Sequence, residues 1–248
     1  MSAILSVENL TVSYGSDSTP VVDNISFKLL RGQCLGLIGE SGCGKTTTAR
    51  AISGLTPYQG GSIQFNDKEI EGPHPSIQMV FQDHSNSLNP RMTILQNIIE
   101  PLRYLGITTR DAMTKGQALM EQVGVDLSRS NDYPHAFSGG QLQRISIARA
   151  LAPEPELIIC DEPVSALDLS IQAQILELLK TIQTETGIAL LFVSHDLSVV
   201  RYLCPESVVM ASGKILEKGS TQDILDQPQH PETKALVQAI PKWTHNQS

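Results

Sequence analysis

The chain has 248 residues and a net charge of −8. That length holds one large α/β domain, with room for an inserted sub-domain and a substantial core. The acidic balance leaves no basic footprint for a nucleic-acid partner, and no apolar run approaches the roughly 18 residues that a membrane-spanning helix needs.

The amino terminus, Met1-Ser2-Ala3-Ile4, lacks a charged region followed by an apolar core, so no export signal is expected. From residue 4 to 30 apolar and polar positions alternate. Leu5 and Val7, then Ile25, Phe27 and Leu29, predict half-buried antiparallel strands joined across Gly15-Ser16-Asp17-Ser18. Cys34-Leu35-Gly36-Leu37-Ile38 predicts a buried strand, and residues 46–53 a helix stopped by Gly54. Residues 60–65 predict a turn and strand of the first sheet, and residues 77–81 a further strand ending at Gln82. From about Asn89 to Leu151 the pattern becomes helical, with Pro101 and Pro134 as breaks, which predicts an inserted helical sub-domain. Residues 157–160 form a continuous apolar run of the kind covered on both faces in a parallel sheet. Ile171, Ile175, Leu178, Leu179 and Ile182 share one face of a helix that Gly187 closes. Residues 188–193 follow as a strand, with Ser194-His195-Asp196 just past its end. The four cysteines, 34, 43, 160 and 204, show neither metal-ligand spacing nor a disulfide framework. Cys34 and Cys160 read as packing residues, which suits a reducing cytoplasm.

Gly39-Glu40-Ser41-Gly42-Cys43-Gly44-Lys45-Thr46 fills every fixed place of the phosphate-binding pattern G-x-x-x-x-G-K-[ST], between the predicted strand and helix that pattern requires. Its glycines let the backbone approach a β-phosphate while the helix start adds partial positive charge. Lys45 would neutralise the β- and γ-phosphates, Thr46 would offer a hydroxyl to Mg²⁺, and Thr47 continues the nucleotide contact. Asp161-Glu162 directly follows an apolar strand, placing Asp161 to reach the metal and Glu162 to polarise the attacking water. Ser138-Gly139-Gly140-Gln141 precedes a good helical sequence and reads either as a second anion site or as a plain N-cap with a flexible approach.

With these motifs in this order the chain resembles the ATP-binding subunit of an ABC transporter over nearly its whole length. The resemblance adds Gln82 in Phe81-Gln82-Asp83, the signature Phe137-Ser138-Gly139-Gly140-Gln141, the loop Ser165-Ala166-Leu167-Asp168, and His195 in Ser194-His195-Asp196. The signature opens on Phe137 where Leu is usual, a departure expected only to alter local packing. By resemblance Tyr14 stacks on adenine, Gln82 contacts Mg²⁺ and the water region, and His195 bonds the γ-phosphate. The family's architecture implies a P-loop NTPase (RecA-like) core with an N-terminal antiparallel β sub-domain, over residues 1–88 and 152–240. The helical sub-domain that carries the signature would span 89–151. It further implies a head-to-tail dimer in which Ser138, Gly139, Gly140 and Gln141 of one subunit close over ATP held by the other, with Asp168 organising the interface.

Two stretches, 81–93 and 230–241, resemble importers of oligopeptides, dipeptides, nickel and metal-chelating opines, and in such relatives the segment after Gln82 faces the membrane subunit. The stop soon after Pro241, without a cysteine-bearing tail, favours the nickel or metallophore branch. The implied assembly has two integral membrane permeases, a second ATPase subunit that is either an unlike sibling or a second copy, and an extracytoplasmic solute-binding protein. The chain would sit peripherally on the cytoplasmic face of the membrane. The alternative, a soluble ABC-type ATPase acting on DNA or ribosomes, would bring long coiled coils or a second cassette. Fewer than 100 residues separate Thr46 from Ser138, and neither feature is present.

Overall fold

A computed structural model describes residues 2–15, 19–82 and 87–239. The polar link at 16–18, the segment 83–86 after Gln82 and the tail from Ile240 lie outside the described residues.

The alternation near the amino terminus becomes an antiparallel sheet of order β2-β1-β4-β5, built from β1 (Ala3–Val12), β2 (Val22–Leu30), β4 (Gly60–Phe65) and β5 (Lys68–Glu69). Val7 stands opposite Phe27 on one side and Ile63 on the other, so one face of this sheet is continuously apolar. A second sheet has the order β10-β9-β3-β8-β7-β6. Its strands β3 (Cys34–Ile38), β6 (Ile77–Val80), β7 (Leu157–Asp161), β8 (Ala189–Ser194) and β9 (Glu206–Ala211) run parallel, and β10 (Lys214–Ser220) is antiparallel at the edge. Every residue of β3, β7 and β8 is buried because both faces are covered. Leu157 and Ile159 join the core under the antiparallel sheet, while Ile158 and Cys160 join the core under the helices.

The described helices include α1 (Lys45–Ile52), α2 (Ile94–Tyr104), α3 (Thr109–Gln122), α4 (Gly139–Leu151), α5 (Leu169–Thr186), α6 (Leu197–Leu203), α7 (Thr221–Asp226) and α8 (Pro231–Gln238). Pro101, expected to break its helix, lies inside α2 instead. The missing N–H withdraws a donor from Asn97, one turn earlier, but two features outweigh the loss. Thr93 and Gln96 form a capping box, and Ile94, Leu95, Ile98, Ile99 and Leu102 bury one face. Asn97 itself is fully buried; its side chain accepts from Asn89 N–H and donates to the carbonyls of Asn89, Met92 and Thr93, fastening the stretch that leads into α2. Pro134 opens a short 3₁₀ turn, Pro134–Ala136.

All four cysteines are buried free thiols, as packing residues should be. The fold nevertheless brings Cys34 and Cys204 together, 3.1 Å between sulfurs, a proximity that sequence spacing did not reveal. The hydrogen bond with Cys204, followed by burial, holds the Cys34 thiol well above its ordinary pKa, so it stays protonated.

Candidate functional site

Strand register gathers the motifs. Ile38 pairs with Ser194, Asp161 with Val193, and Val80 with Cys160, so the parallel strands end at one edge in the order β3, β8, β7, β6. Gly39, His195, Glu162 and Gln82 leave that edge as loop residues, where open α/β sheets place ligands.

The loop from Gly39 to Thr46 has little freedom to accept other residues at two points. A Cβ on Gly39 would fall 2.2 Å from the Met210 carbonyl oxygen, and one on Gly44 would fall 2.7 Å from that of Val21. Gly44 also holds φ at 108° as the N-cap of α1, and no side chain caps that helix. Its first amides are therefore left for an outside acceptor, and an anion is the natural one. Within the loop, Lys45 is buried and its ammonium donates to the carbonyls of Gly39 and Glu40, 2.8 Å each. Ser41 and Gly42 are exposed on the loop's outer side, while Cys43 is buried beneath it. Tyr14 reaches over the start of α1, its hydroxyl 3.2 Å from Thr47 Oγ1, and remains 55% exposed.

Thr46 Oγ1 donates to Asp161 Oδ1 at 3.1 Å, joining the loop to the end of β7. A hydroxyl and a carboxylate make an oxygen-only donor pair of the kind a hard Mg²⁺ ion takes alongside phosphate oxygens, so these residues fit the metal. Burial is the largest influence on Asp161 and pushes its pKa up; Glu162 adds to the rise, and the Thr46 hydroxyl, Arg50 and Lys45 pull it back. A carboxyl whose pKa is raised by folding favours the protonated folded form. Its contribution to stability is present below the unfolded pKa and lost as pH rises through the folded one. Asp161→Asn is therefore expected to unfold at a higher temperature than the native chain at pH 7, and to lose that advantage as pH is lowered. Thermal melts across pH 4 to 8 measure this, and a variant less stable at neutral pH would contradict it.

Glu162 lies between two partners. His195 Nδ1 is 3.0 Å from Oε1, and Gln82 Nε2 donates to Oε2 at 3.2 Å. The backbone at Glu162 has φ of 47°, a left-handed conformation that non-glycine residues seldom adopt and that concentrates at working sites. Glu162 N–H donates to the Val193 carbonyl at 3.0 Å, holding the turn in place. Ser165 was missed by sequence reasoning as a member of this group. Its hydroxyl donates to the Glu162 carbonyl at 3.1 Å and accepts from Gln82 Nε2 at 3.4 Å. A hydroxyl three residues beyond the acidic pair was the available signal. Gln82, expected at the metal, bonds Glu162 and Ser165, and none of its described bonds reaches Thr46 or Asp161.

Of the two readings of 138–141, the structure shows the N-cap. Ser138 is the N-cap of α4 in a full capping box with Gln141, which occupies the Gln141 N–H and the Ser138 N–H. The amides of Gly139 and Gly140 open the helix and stay directed outward from its start. Gly140 has a packing reason too: a Cβ there would lie 2.4 Å from Ile171 Cγ2 on α5. Asp168 is the exposed N-cap of α5, and its carboxylate makes no capping bond. Among the described residues, no hydrogen bond ties Ser138–Gln141 or the Asp168 carboxylate to the phosphate loop or to Glu162.

A family model described as ABC transporter matches residues 22–165. The chain is 46% identical over 231 residues to the oligopeptide transport ATP-binding protein OppF of Bacillus subtilis, covering 89% of this chain and 76% of that one. It is 44% identical over 249 residues to a putative peptide import ATP-binding protein of Brucella ovis, covering 96% and 78% respectively. Among solved structures, cbiO1 from Clostridium perfringens, part of the ABC transporter complex cbiONQ, superposes with a TM-score of 0.82 at 28% identity, covering 91% of each chain.

Proposed function

The chain belongs to the ABC transporter family, as an ATP-hydrolysing subunit that powers solute import through separate permease subunits, and we propose that it does so from a composite site shared by two ATPase subunits. The observation that carries the proposal is the separation of two phosphate-binding helix starts. The uncapped start of α1 is joined to Asp161 through Thr46, whereas among the described residues no hydrogen bond links the start of α4 to that cluster. A helix start that is not bonded to its own phosphate loop is available to meet the γ-phosphate held by a neighbour.

In this reading the loop amides and Lys45 hold the β- and γ-phosphates, and Tyr14 stacks on the adenine with Thr47 beneath it. Thr46 and Asp161 hold Mg²⁺, which when bound would neutralise charge between the β- and γ-phosphates. Glu162 polarises the attacking water. Its carboxylate oxygens are each held by one partner, so the group is aimed before substrate arrives, which removes an orientational cost from the reaction. His195 also reaches the γ-phosphate, and Gln82 senses whether it is present. Ser138, Gly139 and Gly140 of the second subunit then complete the cage, with Asp168 at the seam. ATP acts as the shared ligand whose differential affinity for the closed pair drives the cycle.

A groove of about 660 Å³ runs between the core and the helical segment, lined by Leu55, Met79, Phe81, Glu100, Tyr104 and Arg149 among others. Tyr104 there is 93% exposed. Phe81 and Ser87 of its lining flank the segment 83–86, so a cytoplasmic segment of a permease seated here would act directly on the Gln82 loop. No described helix is long and apolar enough to cross a membrane, and attachment at the cytoplasmic face through such permeases is the arrangement this groove supports. Cargo would arrive by a solute-binding protein outside the cell. The relatives' names favour peptides, with nickel or a metal chelate as the second choice.

Complementation tests the shared site. Lys45→Ala and Ser138→Arg chains are each expected to be inactive. In a mixed pair, the intact loop of one meets the intact signature of the other, and activity returns. A mixture that pairs yet stays inactive would place the whole site within one subunit.

A further inference from the structure

We propose that Arg129 is a positioning residue for the signature, acting through Phe137. The inference rests on the shared-site reading and names a determinant within it. Arg129 closes the 3₁₀ turn Leu127–Arg129, whose start is fixed by Asp126 accepting from Ser128 N–H at 2.8 Å. Its guanidinium engages three groups at once. Nε donates to Asp132 Oδ2 at 2.9 Å, Nη2 donates to the Ala136 carbonyl at 2.9 Å, and the guanidinium carbon stands 3.8 Å from the centre of the Phe137 ring. Phe137 is 9% exposed and directly precedes the capping Ser138. The two residues that deliver the signature are thus held by one planar cation, from the side by the ring and from the backbone by a carbonyl.

Asp132 neutralises Arg129 at contact distance, so this cation acts on Phe137 and Ala136 and is not a spare charge for phosphate. The same turn also grips the start of α2. Ile94 N–H donates to the Asp132 carbonyl at 2.8 Å and Leu95 N–H to the Ser130 carbonyl at 3.1 Å. Arg129 therefore stands between the helix that follows the Gln82 loop and the approach to the signature. An aromatic ring at 137 has a use here that an aliphatic side chain would not supply: only a π face attracts the guanidinium electrostatically.

The test separates nucleotide binding by one chain from ATP-driven pairing with the second ATPase subunit, all in the full-length Glu162→Gln background so that pairs persist. Fluorescent ATP binding to the single chain reports the phosphate loop, and sedimentation at varied ATP reports pairing. Arg129→Ala is expected to bind ATP as the parent does and to pair about tenfold more weakly. A change confined to pairing is one that general destabilisation would not produce. Should Arg129→Ala fail to fold, Arg129→Lys and Phe137→Leu carry the test. Each is expected to weaken pairing, and the lysine change to add little once the ring is gone. Native pairing by Arg129→Ala, or fully additive effects of the two milder changes, overturns the proposal. Ser138→Arg, measured alongside, tells the two readings apart. If it too pairs normally, the shared site itself fails, whereas normal pairing by the Arg129 variants alone removes only the clamp.

Discussion

Glu162→Gln binds ATP about as tightly as the native chain and hydrolyses it at least about a hundredfold more slowly, the loss expected when a general base is removed. The change keeps size and hydrogen-bonding oxygen but withdraws the negative charge that draws a proton from water. His195 and Gln82 still have an acceptor between them, so the geometry survives while the chemistry does not. Because ATP then remains intact at the seam, closed pairs accumulate. Steady-state phosphate release together with sedimentation of the ATP-loaded protein checks both halves. Turnover within about threefold of native would show that Glu162 is not the water-activating group and would shift that role to a phosphate oxygen or to His195.

Lys45→Ala fails earlier, at nucleotide binding. Each charge-assisted hydrogen bond between the ammonium and a phosphate oxygen is worth roughly 1.5–3 kcal/mol, so affinity is expected to fall about a hundredfold. The variant also loses the two bonds from Nζ to the Gly39 and Glu40 carbonyls, which leaves loop acceptors to find water. Equilibrium binding measured beside a thermal melt separates the two effects. A chain that melts as native yet binds weakly assigns Lys45 to the phosphates, and one that binds ATP normally would dissolve the cradle assignment altogether.

The phosphate loop, the acidic pair and the signature were legible because each is a run of consecutive residues whose chemistry depends on its own backbone. Gly44 must turn with positive φ to open the start of α1, a demand of the local backbone itself. The apolar runs of β3, β7 and β8 announced a sheet covered on both sides for a similarly local reason. Pro101 shows where local rules fail. Burial of five neighbours on one face outweighed a missing hydrogen bond, and nothing within the helix itself reports that burial.

Residue order alone thus determined which atoms are available: a nest of amides with a lysine, a hydroxyl beside a carboxylate, a second helix start rich in glycine. Tertiary structure decided which of them meet. Gln82, Glu162 and His195 lie 80 and 33 positions apart in the chain and converge only because β6, β7 and β8 are neighbours in parallel register. The left-handed turn at Glu162 and the bond from Gln82 to Ser165 arise from that same convergence, whereas the Arg129 clamp on Phe137 closes within the stretch that leads to the signature. Pairing between distant segments is chosen by the burial of whole sheet faces, a collective free energy that no short window of sequence contains.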